Sequence, residues 1–185
     1  MEAALKREYY TYADYCVWAG PERWELIDGE AYAMSPAPSW KHQGIAGELF
    51  GQLREFLKGK PCKVFSAPFD VRLNADTADD TVVQPDIVVI CDRSIIGGTG
   101  CAGAPDMVVE ILSPSTVARD RIHKLKLYQD YSVREYWIVD PESKTVSTHI
   151  LDDGRYCSTE YAETETAPVH VLEGCIINLA EVFED

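Results

Sequence analysis

Pro85-Asp86-Ile87-Val88-Val89-Ile90, then Asp106-Met107-Val108-Val109-Glu110-Ile111-Leu112-Ser113-Pro114, then Arg119-Asp120-Arg121-Ile122-His123-Lys124-Leu125-Lys126 is the stretch that decides the fold. The first two segments are short apolar runs, the pattern of strands buried on both faces, and each admits one carboxylate. The third has helical spacing; Ser113-Pro114-Ser115-Thr116 would start that helix, which runs to about Tyr131. Glu135–Val139 is a further apolar strand, stopped by Asp140-Pro141. A strand–helix–strand order implies a right-handed crossover and parallel pairing of Met107–Leu112 with Glu135–Val139.

Moving outward, Val82–Ile90 reads as one nearly unbroken apolar strand. Two shorter strands precede it, near Cys62–Phe65 and Phe69–Leu73. Arg23-Trp24-Glu25-Leu26-Ile27-Asp28-Gly29-Glu30-Ala31-Tyr32-Ala33-Met34 reads as a hairpin, because Asp-Gly favours the two-residue turn that matches strand twist. Ser39 is placed to cap a helix to about Lys58, with Ile45, Leu49, Leu53 and Phe56 on one face. A short helix is expected over Tyr9–Trp18, with Thr11 as a candidate cap. Val146–Leu151 and Tyr156–Tyr161 form a second hairpin around Asp152-Asp153-Gly154. One helical turn is expected near Leu179–Phe183. Gly97-Gly98-Thr99-Gly100 carries no lysine and opens no helix, so it is not a phosphate loop. The sum is a mixed α/β fold with added hairpins, over one domain spanning residues 1–185.

The 185 residues carry a net charge of −14. That argues against attraction to nucleic acid over the whole surface. The charge is uneven: residues 140–185 hold eleven acids and two bases. The densest basic stretch is Arg119, Arg121, Lys124 and Lys126, either a local positive face or a solvated helix face. No run of about 18 apolar residues appears, which excludes a membrane span of the helical kind. The segment Met1 to Tyr15 lacks an apolar signal core, so a cytoplasmic protein is expected. Six scattered cysteines include no CxxC pair, so a zinc site is not expected and reduced thiols acting as small hydrophobes are. Tyr9, Tyr10, Tyr12 and Trp18 could form a dimer face or simply cover the core.

Asp86 leads four aliphatic residues, and a carboxylate entering a buried strand needs a partner, hydrogen bonds or a cation. Glu110 has apolar neighbours on both sides, where glutamate is rarely found without a partner. A buried salt bridge to Arg119 or Lys124 is the structural alternative. Two carboxylates with a nearby lysine are what metal-dependent phosphodiester cleavage needs: the acids hold the cation and the ammonium offsets charge. Lys124 and Lys126 flank the apolar stripe Ala118, Ile122, Leu125 and Tyr128 about equally, so periodicity does not choose between them. Asp120 and Lys124 also have ion-pair spacing. Taken alone, Lys124 reads as a surface lysine, and His42 as a structural histidine in the first turn of its helix.

Together with these segments, Met34-Ser35-Pro36-Ala37-Pro38, Ala67-Pro68-Phe69-Asp70-Val71-Arg72-Leu73, Gly103-Ala104-Pro105-Asp106, Asp120-x-x-x-Lys124-x-x-x-Tyr128 and Glu135-Tyr136-Trp137-Ile138-Val139-Asp140-Pro141 resemble the Uma family of putative restriction endonucleases. The resemblance runs from about Trp24 to the last strand. It implies a PD-(D/E)XK superfamily fold, a restriction-endonuclease-like mixed sheet flanked by helices. It maps the superfamily's first acid onto Asp86 and its second onto Glu110. Leu112 stands where the superfamily has its lysine, and the family pattern places that lysine in the next helix, at Lys124. His42 would face the site as an accessory group, and Glu30 is a further candidate.

The resemblance thus implies a Mg2+-dependent (or Mn2+-dependent) endonuclease, a phosphodiester hydrolase with DNA as substrate; two active sites would suit duplex cutting, so a homodimer is expected. Asp86, Glu110 and the main-chain carbonyl of Ile111 would hold the metal. Lys124 would orient water or offset charge, and His42 would assist proton transfer. The rival reading is a catalytically silent binding or assembly module on a nuclease fold.

Overall fold

The two-residue turn at Asp28-Gly29 has positive φ at both positions, 51° and 79°. It joins β1 (Trp24–Ile27) to β2 (Glu30–Ala33), as the dipeptide predicted. A computed structural model of the protein describes residues 9–34, 37–113 and 123–184. Within them, α1 (Tyr12–Tyr15) precedes the hairpin, and α2 (Trp40–Phe56), capped by Ser39, follows it. Next come β3 (Lys63–Ser66), β4 (Asp70–Arg72), β5 (Val82–Val83), β6 (Ile87–Ile90), β7 (Ile96–Gly97), β8 (Gly100–Ala102) and β9 (Met107–Ile111). The rest is α3 (Leu125–Asp130), β10 (Glu135–Asp140), β11 (Thr145–Asp152), β12 (Arg155–Ala162), β13 (Thr166–Pro168), β14 (Ile176–Asn178) and α4 (Leu179–Val182). The expected helix start at Ser113-Pro114-Ser115-Thr116 falls largely on 114–122, outside the described residues.

Two six-stranded sheets make up most of the fold. The first has the order β2-β1-β5-β4-β8-β7, the second β12-β11-β10-β9-β6-β3. In the second, β9 and β10 pair in parallel, from Met107 with Glu135 to Ile111 with Val139, as the strand–helix–strand order required. One face of this sheet packs on α2 through Leu49, Leu53, Ile87, Val109 and Trp137. The other face meets the first sheet and α3 through Val71, Val83, Val88, Val108, Tyr128 and Tyr136. The alternation along β6 and β9 assigns odd-numbered residues to the first layer and even-numbered ones to the second.

Val82–Ile90 is not one strand. It divides into β5, in the first sheet, and β6, in the second. Gln84-Pro85-Asp86 is the crossover between them. Pro85 has no N–H for a ladder, and the N–H of Gln84 is spent on the Glu25 side chain at 3.1 Å. Apolar content alone did not show the break, because both halves are fully buried.

The cysteine expectation is corrected for one pair. Cys62 and Cys91 form a disulfide, while Cys16, Cys101, Cys157 and Cys175 are free. The pair stands one step beyond Lys63↔Ile90 in the β3–β6 register, a proximity that spacing along the chain does not reveal. The N-terminal aromatics mostly cover core: Tyr10 is buried against Leu26 and Val82, with Tyr12 and Trp18 packed on the same cluster. Tyr9 is half exposed.

Candidate active site

The crossover from one sheet to the other places Asp86 where the two meet. Asp86 immediately precedes β6, and Ile87 pairs with Val109 on β9. One step further in that antiparallel register, Asp86 lies opposite Glu110. The same alternation turns Glu110 toward the layer between the sheets, where Lys124 and Tyr128 meet it. Asp86 Oδ2 accepts the main-chain N–H of Ile111 at 2.7 Å. His42 Nε2, from the first turn of α2, lies 3.3 Å from the same oxygen. The Asp86 side chain keeps 22% of its surface exposed, so solvent reaches it.

Glu110 is buried. Its Oε1 accepts from Lys124 Nζ at 2.7 Å and from the Tyr128 hydroxyl at 2.9 Å. Lys124 stands just before α3 and is 2% exposed, so the surface reading of this lysine is overturned. Lys126 is the surface residue, paired with Asp130 along the helix. Tyr128 is fully buried, and its pKa is raised well above 10 by that burial first and by the Glu110 charge next. It therefore stays a protonated donor to Glu110. Leu112, where the superfamily has its lysine, is 4% exposed and packs in the core between the sheets.

Lys124 Nζ has a second carboxylate, Glu25 Oε1, at 2.9 Å. Glu25 is fully buried on β1 of the other sheet, and the same oxygen takes the N–H of Gln84. The sequence offered Glu30 instead, which is exposed and accepts only its neighbour Tyr32's hydroxyl at 2.7 Å among the contacts described. The signal for Glu25 was present: it stands between Trp24 and Leu26-Ile27, a carboxylate among apolar residues as Glu110 is. The hairpin pattern hid it, because alternate positions of a hairpin strand usually face water. Gln84 ties the crossover down further. Its side chain donates to Tyr15 and Asp70 and accepts from Arg23 Nε and Nη2 at 2.8 and 2.6 Å.

Among the described residues, no three His, Cys, Asp or Glu side chains form a metal cage. Mg2+ takes oxygen ligands and is satisfied by one or two carboxylates while keeping several waters. Asp86, Glu110 and the Ile111 carbonyl are hard oxygen donors of that kind.

Comparisons with known proteins bear on the family and the fold. The sequence profile of Uma2, described as putative restriction endonuclease, matches residues 9–180. The chain belongs to the Uma2 family. An uncharacterized protein of Synechocystis sp., slr1290, is 31% identical over 146 residues, covering 78% of this chain and 75% of that protein. The crystal structure of a putative nuclease belonging to DUF820 from Anabaena variabilis superposes with a TM-score of 0.76 at 19% identity, over 94% of this chain and 97% of that one. The Uma2 chain therefore has the fold of that protein, and the restriction-endonuclease-like expectation holds for the architecture.

Proposed function

We propose that this Uma2 protein is a Mg2+-dependent endonuclease that hydrolyses phosphodiester bonds in DNA. The observation that carries the reading is the seam between the sheets: Asp86 opposite Glu110, with the buried ammonium of Lys124 held on Glu110. Uma2 membership and the nuclease-type fold support it. Asp86, Glu110 and the Ile111 carbonyl would hold the metal. When bound, the cation polarises the scissile phosphate and lowers the pKa of a water.

The chain's own groups supply the rest. Tyr128 and Lys124 both donate to the Glu110 carboxylate. The Lys124 ammonium offsets negative charge that develops on the phosphate in the transition state, in a site screened from bulk water. His42, beside Asp86, would assist proton transfer. The net charge of −14 opposes long-range attraction to a polyanion, so binding depends on the site and its metal.

The test is cleavage of supercoiled plasmid and of single-stranded DNA with Mg2+ or Mn2+, comparing wild type with Asp86→Ala and Lys124→Ala. Metal-dependent cutting lost in both variants supports the reading. Intact DNA in all three sinks it.

A further inference from the structure

Lys124 sits between two carboxylates, yet one alone would pair it. We propose that Glu25 is a positioning residue that draws Lys124 off Glu110, leaving Glu110 able to bind a divalent cation. The inference rests on the metal-dependent reading above and adds a residue outside its ligand set.

Three observations carry it. The ammonium is nearly equidistant from its partners, 2.7 Å from Glu110 and 2.9 Å from Glu25, so a small swing transfers it from one to the other. Glu25 is anchored by main chain: its Oε1 takes the N–H of Gln84, two residues before Asp86 on the same crossover. Asp86 is anchored alike, by the N–H of Ile111. Glu110 Oε1, in contrast, is contacted by two side-chain donors, Lys124 and Tyr128. At that oxygen, the carboxylate that must turn toward a metal is held by side chains that can yield. The one that must keep the ammonium is fixed to the backbone.

Charge supplies the direction. A divalent cation arriving at Glu110 repels the ammonium beside it. A buried ammonium cannot retreat into water, so it needs another buried partner. Glu25, fully buried on the opposite sheet, is that partner.

The experiment is isothermal titration calorimetry with Mn2+ and no DNA, on wild type, Glu25→Gln, Lys124→Met and the double variant, each checked for folding by circular dichroism. Lys124→Gln replaces Lys124→Met if the latter does not fold. Asp86→Ala serves as the control that the titrated site is this one, and it should lose binding. Glu25→Gln is expected to weaken Mn2+ binding about 10–100-fold, the range for losing an outer-shell partner. Lys124→Met should bind at least as tightly as wild type, and adding Glu25→Gln to it should change nothing further, because no ammonium is left to misplace. Equal affinity of wild type and Glu25→Gln overturns the inference and leaves the metal reading standing. An undiminished effect of Glu25→Gln in the Lys124→Met background overturns it too, since Glu25 would then act on the cation itself. Failure of both wild type and Lys124→Met to bind Mn2+ removes the metal reading and this inference together.

Discussion

Replacing Lys124 by Met, a side chain of similar shape without the charge, should be the most destabilising change in the site. Among the described residues, the cation facing Glu25 and Glu110 is Lys124, and the three side chains are 0–6% exposed. Solvent screening that makes surface pairs weak does not operate there. Removing the ammonium takes a shared partner from two buried carboxylates, and breaking a buried pair costs about 3–5 kcal/mol. For a domain of this size each kcal/mol moves the melting temperature by about 2–4 °C, so the drop should be about 6–20 °C. Glu110→Gln should behave differently. It leaves Lys124 paired with Glu25, and the amide oxygen still accepts from Tyr128. Exchanging charged for neutral hydrogen bonds costs about 1–2 kcal/mol. Thermal melts in EDTA, followed by circular dichroism, measure both. Lys126→Met, on the exposed face, is the internal control and should leave the melt unchanged. The reasoning is refuted if Lys124→Met melts with the wild type, or if Glu110→Gln costs as much as Lys124→Met.

Three further outcomes follow from other parts of the fold. His149 is 7% exposed, with Nδ1 on Ser158 at 2.7 Å and Nε2 without a partner, and burial lowers its pKa. Below the unfolded value of about 6.5 the unfolded chain takes up a proton that the native state resists, so stability falls with pH by up to about 1.4 kcal/mol per unit until the folded pKa is reached. Urea midpoints from pH 7.5 to 5.5 should show this loss in wild type and a smaller one in His149→Asn. Gly100→Ala should destabilise the first sheet severely, because a Cβ there would lie 1.8 Å from the carbonyl oxygen of Asp70 on β4; a wild-type melt would refute it. Gly47→Ala and Gly51→Ala lie on the exposed face of α2 with nothing near the new methyl, and each should raise stability by about 0.5–1 kcal/mol in a urea titration.

The sequence made legible those elements whose signal is local. The Asp28-Gly29 turn, the Ser39 cap and the parallel β9–β10 pair each follow from a few adjacent residues or from element order. What it hid depends on contacts between distant segments. Pro85 was visible, but only sheet pairing shows that the chain changes sheets there. Asp86, Glu110, Lys124 and His42 were all named, by apolar surroundings or by resemblance. The structure brings Asp86 to His42 and Glu110 to Lys124. The choice of Lys124 over Lys126 needed the orientation of α3 against the first sheet, since both flank the same stripe. Glu25 was passed over because a glutamate in a hairpin strand ordinarily faces water. Here the second sheet covers that face. The Cys62–Cys91 bond depends on register across β3 and β6, which cysteine spacing does not encode.

The central claim is that the seam at Asp86 and Glu110 cuts DNA with a divalent metal. Asp86→Asn tests it most directly, because this partly exposed side chain can lose its charge without unfolding the chain. Nicking of supercoiled plasmid by wild type and by Asp86→Asn should be followed in Mg2+, in Mn2+ and in EDTA, with melts run in parallel. The account predicts metal-dependent nicking by wild type and none by a variant that melts normally. A wild type that leaves plasmid intact in both metals, or an Asp86→Asn variant that nicks at the wild-type rate, would contradict it.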